Sequence, residues 1–254
     1  MLKKKEQAKF IEKRSSNILL YLQRFGRKQD EEDLHQLRVE VKKLKGFMSL
    51  SSGVATGQKL SRDARHVFKQ AGIIRTAHLN LHFIQEYRLP GKQFKKEQEH
   101  IVRSHGIKFS KNAKAYKKII KKDVSNIQKK IKPMDDPSIT GWYKSSIAEI
   151  RNVFRNFDKS GLHEARKTIK NLLHVHGMLD KSLTISLNIN IEYLEQLQEV
   201  IGKWHDVDAA YELLVSTGTG SKAIKEKFRK EIIKALKSVR MMVNNFPKKL
   251  KQKP

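Results

Sequence analysis

The chain has 254 residues, enough for one large domain or two small ones with a proper core. Lys and Arg number 54 against 26 Asp and Glu, a formal net charge of +28, so a polyanion is the default partner: nucleic acid, an acidic membrane surface or a phosphate polymer. There are no cysteines, which excludes disulfides, thiolate metal sites and a cysteine nucleophile and fits a cytoplasmic setting.

The basic opening, MLKKKEQAKF, is not followed by an apolar region of the kind a signal peptide carries, and no uninterrupted apolar run reaches the ~18 residues of a membrane span, so neither is expected. Helical periodicity dominates, and only five prolines interrupt it. Helices are predicted over 3–25 and 31–50, then, after SSGVATG, over 58–87. A long fourth covers 92–131. KPMDDPS, 132–138, is the clearest break, with two prolines and two aspartates that make a turn or linker. Helices over 139–157, 161–180, 188–216 and 221–245 follow, then a basic tail.

Four helices, a break and four helices invite comparison of the halves. LHQLRVEVKKLKGFMSL lies over LHEARKTIKNLLHVHGML, matching Leu34 to Leu162, His35 to His163, Arg38 to Arg166 and Lys42 to Lys170. VFKQAGIIRTAHLNL lies over LEQLQEVIGKWHDVDAA at nearly the same offset, with Gly72 over Gly202. The chain therefore reads as one duplicated four-helix unit, with repeats 1–132 and 138–247.

At about 100° per residue, Leu34, Leu37, Val41, Leu44 and Met48 form a core stripe about 80° wide. His35, Arg38, Lys42 and Lys45 lie about 100° round from it, at the core margin, while Gln36, Glu40 and Lys43 fall on a face expected to be solvated. The second copy repeats this with Leu162, Ala165, Ile169 and Leu172 inside and His163, Arg166 and Lys170 on the flank. Other basic rows differ. Lys111, Lys114, Lys118 and Lys121 lie opposite an apolar stripe, as do Lys227, Lys230, Lys234 and Lys237, so both are expected to be plain solvated faces. A cation row at a core margin is partly desolvated and needs anionic partners. Arg offers a planar fork to phosphate oxygens, Lys a mobile point charge and His a donor that protonates beside anions.

These segments resemble the CHAD domain, the conserved histidine α-helical domain. DLHQLRVEVKKLKGFM is similar to its first signature, H-x-x-R-V-x-x-[RK]-[RK]-L-[RK], and LHEARKTIKNLLHVHGML to its second. QAGIIRTAH and QEVIGKWHDVDAA are similar to the Leu-Gly segment that follows each. The resemblance covers roughly residues 5–245 and implies an all-α fold of two pseudo-symmetric four-helix bundles with a basic cavity between them. It implies inorganic polyphosphate as the ligand and, in some members, location on polyphosphate granules. Carried over residue by residue, the implied contacts are His35, Arg38, Lys42, Lys45, His163, Arg166 and Lys170, with Arg75 and His205 from the Leu-Gly segments.

Departures from the family pattern occur in both halves, and those on the second signature are expected to weaken that end of the site. Leu173 and Asn171 stand at positions where the first repeat has cations, Lys45 and Lys43. Ala71 replaces the usual Leu, and Thr76 replaces an Asp that the second repeat keeps as Asp206, so Arg75 is expected to be braced less firmly than His205.

No catalytic motif competes with this reading. There is no P-loop, no G-x-S-x-G and no E-x-E-x-K, and the acids are scattered. His174 and His176 are two apart on a helix and do not face one metal, and Asp206 and Asp208 beside His205 suffer the same objection; a helix-stabilising or lysine-pairing role is expected for the two aspartates. No cofactor, metal or membrane partner is expected. The alternative is a nucleic-acid-binding basic helical protein, which +28 would also serve. Against it, Trp142 and Trp204 are isolated and no aromatic platform interleaves with the basic rows.

Overall fold

A computed structural model describes residues 1–54, 59–218 and 220–251. Among these residues it is all-α, with eleven helices and two isolated β-bridges. The chain divides into two compact units: Lys3–Pro133, and Met134–Pro254 together with Met1–Leu2.

The first unit begins with α1 (Lys4–Lys28), whose buried side chains Gln7, Ile11, Arg14, Ile18, Leu22 and Phe25 follow one another at steps of four or three. That seam packs on α2 (Glu31–Val54). Gln29 ends α1 in the left-handed region at φ 53°, and the Asp30 carboxylate accepts from the Glu32 and Asp33 amides, so the chain reverses in two residues. The predicted core stripe of α2 is buried: Leu34, Leu37, Val41, Leu44 and Met48. α3 (Arg62–Glu86) starts under a Ser61 cap. The expected start at Gln58 lies outside the described residues. Ser51–Val54, expected in the loop, continue α2.

The long fourth helix is two helices, α4 (Lys92–Lys111) and α5 (Ala113–Lys130). Asn112 breaks it by turning its side-chain amide onto the Lys108 carbonyl, 2.8 Å away. Phe109 and Tyr116 meet across the break at 4.9 Å, which lets α4 pack on α3 while α5 packs on α1. Lys111, Lys114, Lys118 and Lys121 are exposed, as their position opposite the apolar stripe predicts.

One expectation for α2 fails. Glu40 is 3 % exposed, not solvated, because α1 covers its face. Its carboxylate takes Arg14 at 2.9 Å, Asn17 at 3.2 Å and Lys43 at 2.6 Å. A buried charge of this kind is tolerated only when paired and hydrogen-bonded, and Glu40 has three donors.

In the second unit α6 (Asp136–Asn156) starts earlier than predicted, because Asp135 caps it and Pro137 fits its first turn. α7 (Lys159–His176) carries the second signature, with Leu162, Ala165, Ile169 and Leu172 buried. A short α8 (Lys181–Leu187) precedes α9 (Ile191–Ser216), α10 (Lys222–Val243) and α11 (Phe246–Lys249). α7 and α10 both pack on α9.

Candidate anion-binding site

In the first unit the row of α2 faces α3. Arg38 is half-buried, and its Nη1 donates to the Phe68 carbonyl at 3.0 Å. Its guanidinium carbon stands 4.3 Å from the Phe68 ring centroid, and Lys45 Nζ stands 4.1 Å from the same centroid. Two cations two turns apart thus share one aromatic ring, an attraction that offsets part of their repulsion. One turn beyond Phe68 is Gly72, where an added Cβ would meet Arg38 Nη1 at 2.8 Å. Arg38, Phe68, Lys69, Gly72, Thr76 and Gln98 line an open groove. Burial, and secondarily the charge of Arg75, push the Arg38 pKa below its ordinary value, so an anion in the groove would relieve a real electrostatic cost. His35 is half-buried beside this row and Lys42 is exposed.

The second unit builds the same joint from α7 and α9. Arg166 Nε donates to the Gln198 carbonyl at 3.1 Å, and an added Cβ on Gly202, again one turn later, would meet its Nη2 at 2.8 Å. Burial lowers the Arg166 pKa, against the pull of Asp206. Burial first, then Arg166, lowers that of Lys170. His163 stacks on His205 at 4.9 Å between centroids. Its own pKa is pushed down by burial, then by His205 and Lys167. Asn171 and Leu173 are half-buried beside the row and add no charge to it.

Three residues escaped the sequence reading. Glu31, one turn before His35 on the same face of α2, binds Arg75 Nη1, His78 Nδ1 at 3.2 Å and His82 Nε2 at 2.9 Å. The expected weakness of Arg75 is therefore corrected: Thr76 supplies no brace, but Glu31 does, from another helix. By contrast His205 lies 3.7 Å from Asp206, a longer contact. The position equivalent to Glu31 in the second repeat is Lys159, which pairs with Asp208 at 2.8 Å. Asp208 occupies the place of His78. The repeats thus close the same joint with reversed charges, and comparing identities between the halves passes over it. Glu31 with His78 and His82 has metal-site composition, but Arg75 shares the carboxylate, and among the described residues no three His, Cys, Asp or Glu side chains are arranged to hold a metal.

Charge is divided unequally. Residues 3–133 carry 33 Lys and Arg against 12 Asp and Glu, or +21, and the remainder 21 against 14, or +7. Long-range attraction for a polyanion is concentrated in the first unit.

Fold and site together define an internally repeated, all-α protein with a half-buried arginine seated on a glycine in each repeat. The CHAD domain family model matches residues 10–215, most of the chain, and the chain belongs to that family. No curated protein matches it. Among the described residues no helix is long and apolar enough to cross a membrane.

Proposed function

We propose that this protein binds inorganic polyphosphate along its two His-Arg-Lys rows, as a binding module without turnover. The observation that carries the reading is the arginine seat, built twice. Each guanidinium is half-buried at a core margin, held by one backbone carbonyl and given room by a glycine. Guanidinium has five N–H donors in a rigid fork, and the carbonyl takes one. A phosphate oxygen is the partner whose charge and geometry suit the rest. Family membership supports the same ligand class.

Nucleic acid is the weaker reading. Trp204 is 2 % exposed and cannot stack on a base, which takes away half of the tryptophan surface a single-strand binder would use. The proposed setting is the cytoplasm, on polyphosphate granules.

Titration of the purified protein with long-chain polyphosphate at several salt concentrations tests the reading. Saturable binding whose affinity falls steeply and log-linearly with salt is expected. Absence of saturable binding at low salt would refute it. In cells, a fluorescent fusion should form foci only where polyphosphate is made.

A further inference from the structure

The row on α2 does not begin with a cation. Glu31, His35, Arg38, Lys42 and Lys45 follow one another at steps of four, three, four and three, so a carboxylate stands at the head of the phosphate-facing stripe. Across from it, Arg75, His78 and His82 on α3 stand at steps of three and four and all converge on that carboxylate. Arg75 is also near enough to Arg38 to lower its pKa, so the Glu31 cluster and the Arg38 seat belong to one electrostatic neighbourhood.

We propose, resting on the polyphosphate reading above, that Glu31 is a resident competitor: its carboxylate occupies the Arg75, His78 and His82 cluster, and a phosphate group has to displace it to reach those three side chains. A phosphate offers the same kind of acceptor oxygens, and a polyphosphate chain supplies one such charge after another along its length. Glu31 has a flexible side chain, is 26 % exposed and sits in the first turn of its helix, so it can swing to water without disturbing the core. The second repeat lacks this plug. There the equivalent residue is Lys159, and its Asp208 partner comes from the opposite helix. Phosphate therefore meets a cluster closed by Glu31 in the first repeat, and in the second a His163–His205 stack whose Asp206 neighbour stands farther off, 3.7 Å from His205. Affinity in the first repeat is held below what its charge of +21 would give, which favours polymer chains long enough to displace Glu31 through many linked phosphates.

The test compares tripolyphosphate binding by calorimetry in the wild type, Glu31→Gln and Glu32→Gln. Glu32 is exposed and accepts from Gln36 one turn on, so its variant makes the same change in net charge away from the cluster. Glu31→Gln should bind about five- to tenfold more tightly than the wild type, and clearly more tightly than Glu32→Gln. Equal gains in the two variants, or a loss in Glu31→Gln, would overturn the competitor role while leaving polyphosphate binding standing. A wild type that binds no polyphosphate of any length would overturn the functional reading itself. Displacement is also visible in the unaltered protein. The His82 imidazole resonance should move as long-chain polyphosphate saturates the protein, and a resonance that stays fixed at saturation contradicts the proposal whatever the variants do.

Discussion

Arg166 lies directly over Gly202, so close that a methyl group on the glycine would stand 2.8 Å from its Nη2. Arg38 and Gly72 repeat the relationship at the same distance. Glycine inside a helix costs about 0.5–1 kcal/mol relative to alanine, so two such residues at matched positions need a reason, and the seat provides one. The guanidinium is the mobile partner in the clash. Gly72→Ala with Gly202→Ala should therefore leave stability within about 1 kcal/mol of the wild type in urea titrations, since helix propensity offsets the lost packing. Polyphosphate affinity should nevertheless fall at least about tenfold as the arginines leave their seats. Unchanged affinity would mean that the seats do not present the arginines to ligand.

Seated arginines and loose lysines should also differ in effect. Arg38→Ala with Arg166→Ala removes the same charge as Lys114→Ala with Lys118→Ala. Lys114 and Lys118 are exposed on α5, where like charges are screened and mobile. Isothermal titration with long-chain polyphosphate should show the arginine pair losing at least about tenfold more affinity than the lysine pair. Equal losses would show that the charge acts diffusely.

Glu40 governs stability. It is 3 % exposed and gathers Arg14, Asn17 and Lys43. Glu40→Ala leaves the Arg14 guanidinium buried without its counter-charge and should destabilise the protein by about 3–5 kcal/mol in denaturant unfolding. A loss under about 1 kcal/mol would show that Arg14 finds water instead.

His163 links binding to pH. Burial, followed by the positive neighbours His205, Lys167 and Arg166 and opposed by Glu164, holds its pKa below the ordinary 6.5. The folded protein therefore binds this proton less readily than the unfolded chain does. The stability contribution is full above about pH 6.5 and is lost as pH falls below it. His78 and His176 are shifted in the same direction. Thermal melts should show Tm falling from pH 7 to pH 5, less steeply in His163→Gln. A bound phosphate reverses the sign by favouring imidazolium, so polyphosphate affinity should rise over the same fall in pH. Affinity independent of pH in the wild type would remove His163 from the contact set.

What could be read from the sequence was whatever the two halves share. The leucine stripes, the His-x-x-Arg pairs and the two glycines recur at matching offsets, and the structure buries or seats them together. What could not be read was asymmetric or supplied by another helix. Glu31 and Lys159 have opposite charge, so comparing repeats hides the joint they both make. Glu40 looked solvated because an angular projection sees one helix at a time and not α1 lying across it. Asn112 divides α4 from α5 through a single side-chain hydrogen bond within a lysine-rich run whose helical period hardly changes.

Competition between polyanions bears most directly on the central claim. The protein is loaded with fluorescent long-chain polyphosphate and challenged with duplex DNA of equal total charge, and in the reverse order, at physiological salt. Polyphosphate should displace the DNA, whereas DNA should leave most of the polyphosphate in place. Equal displacement in both directions would contradict a phosphate-chain site and leave only a basic surface.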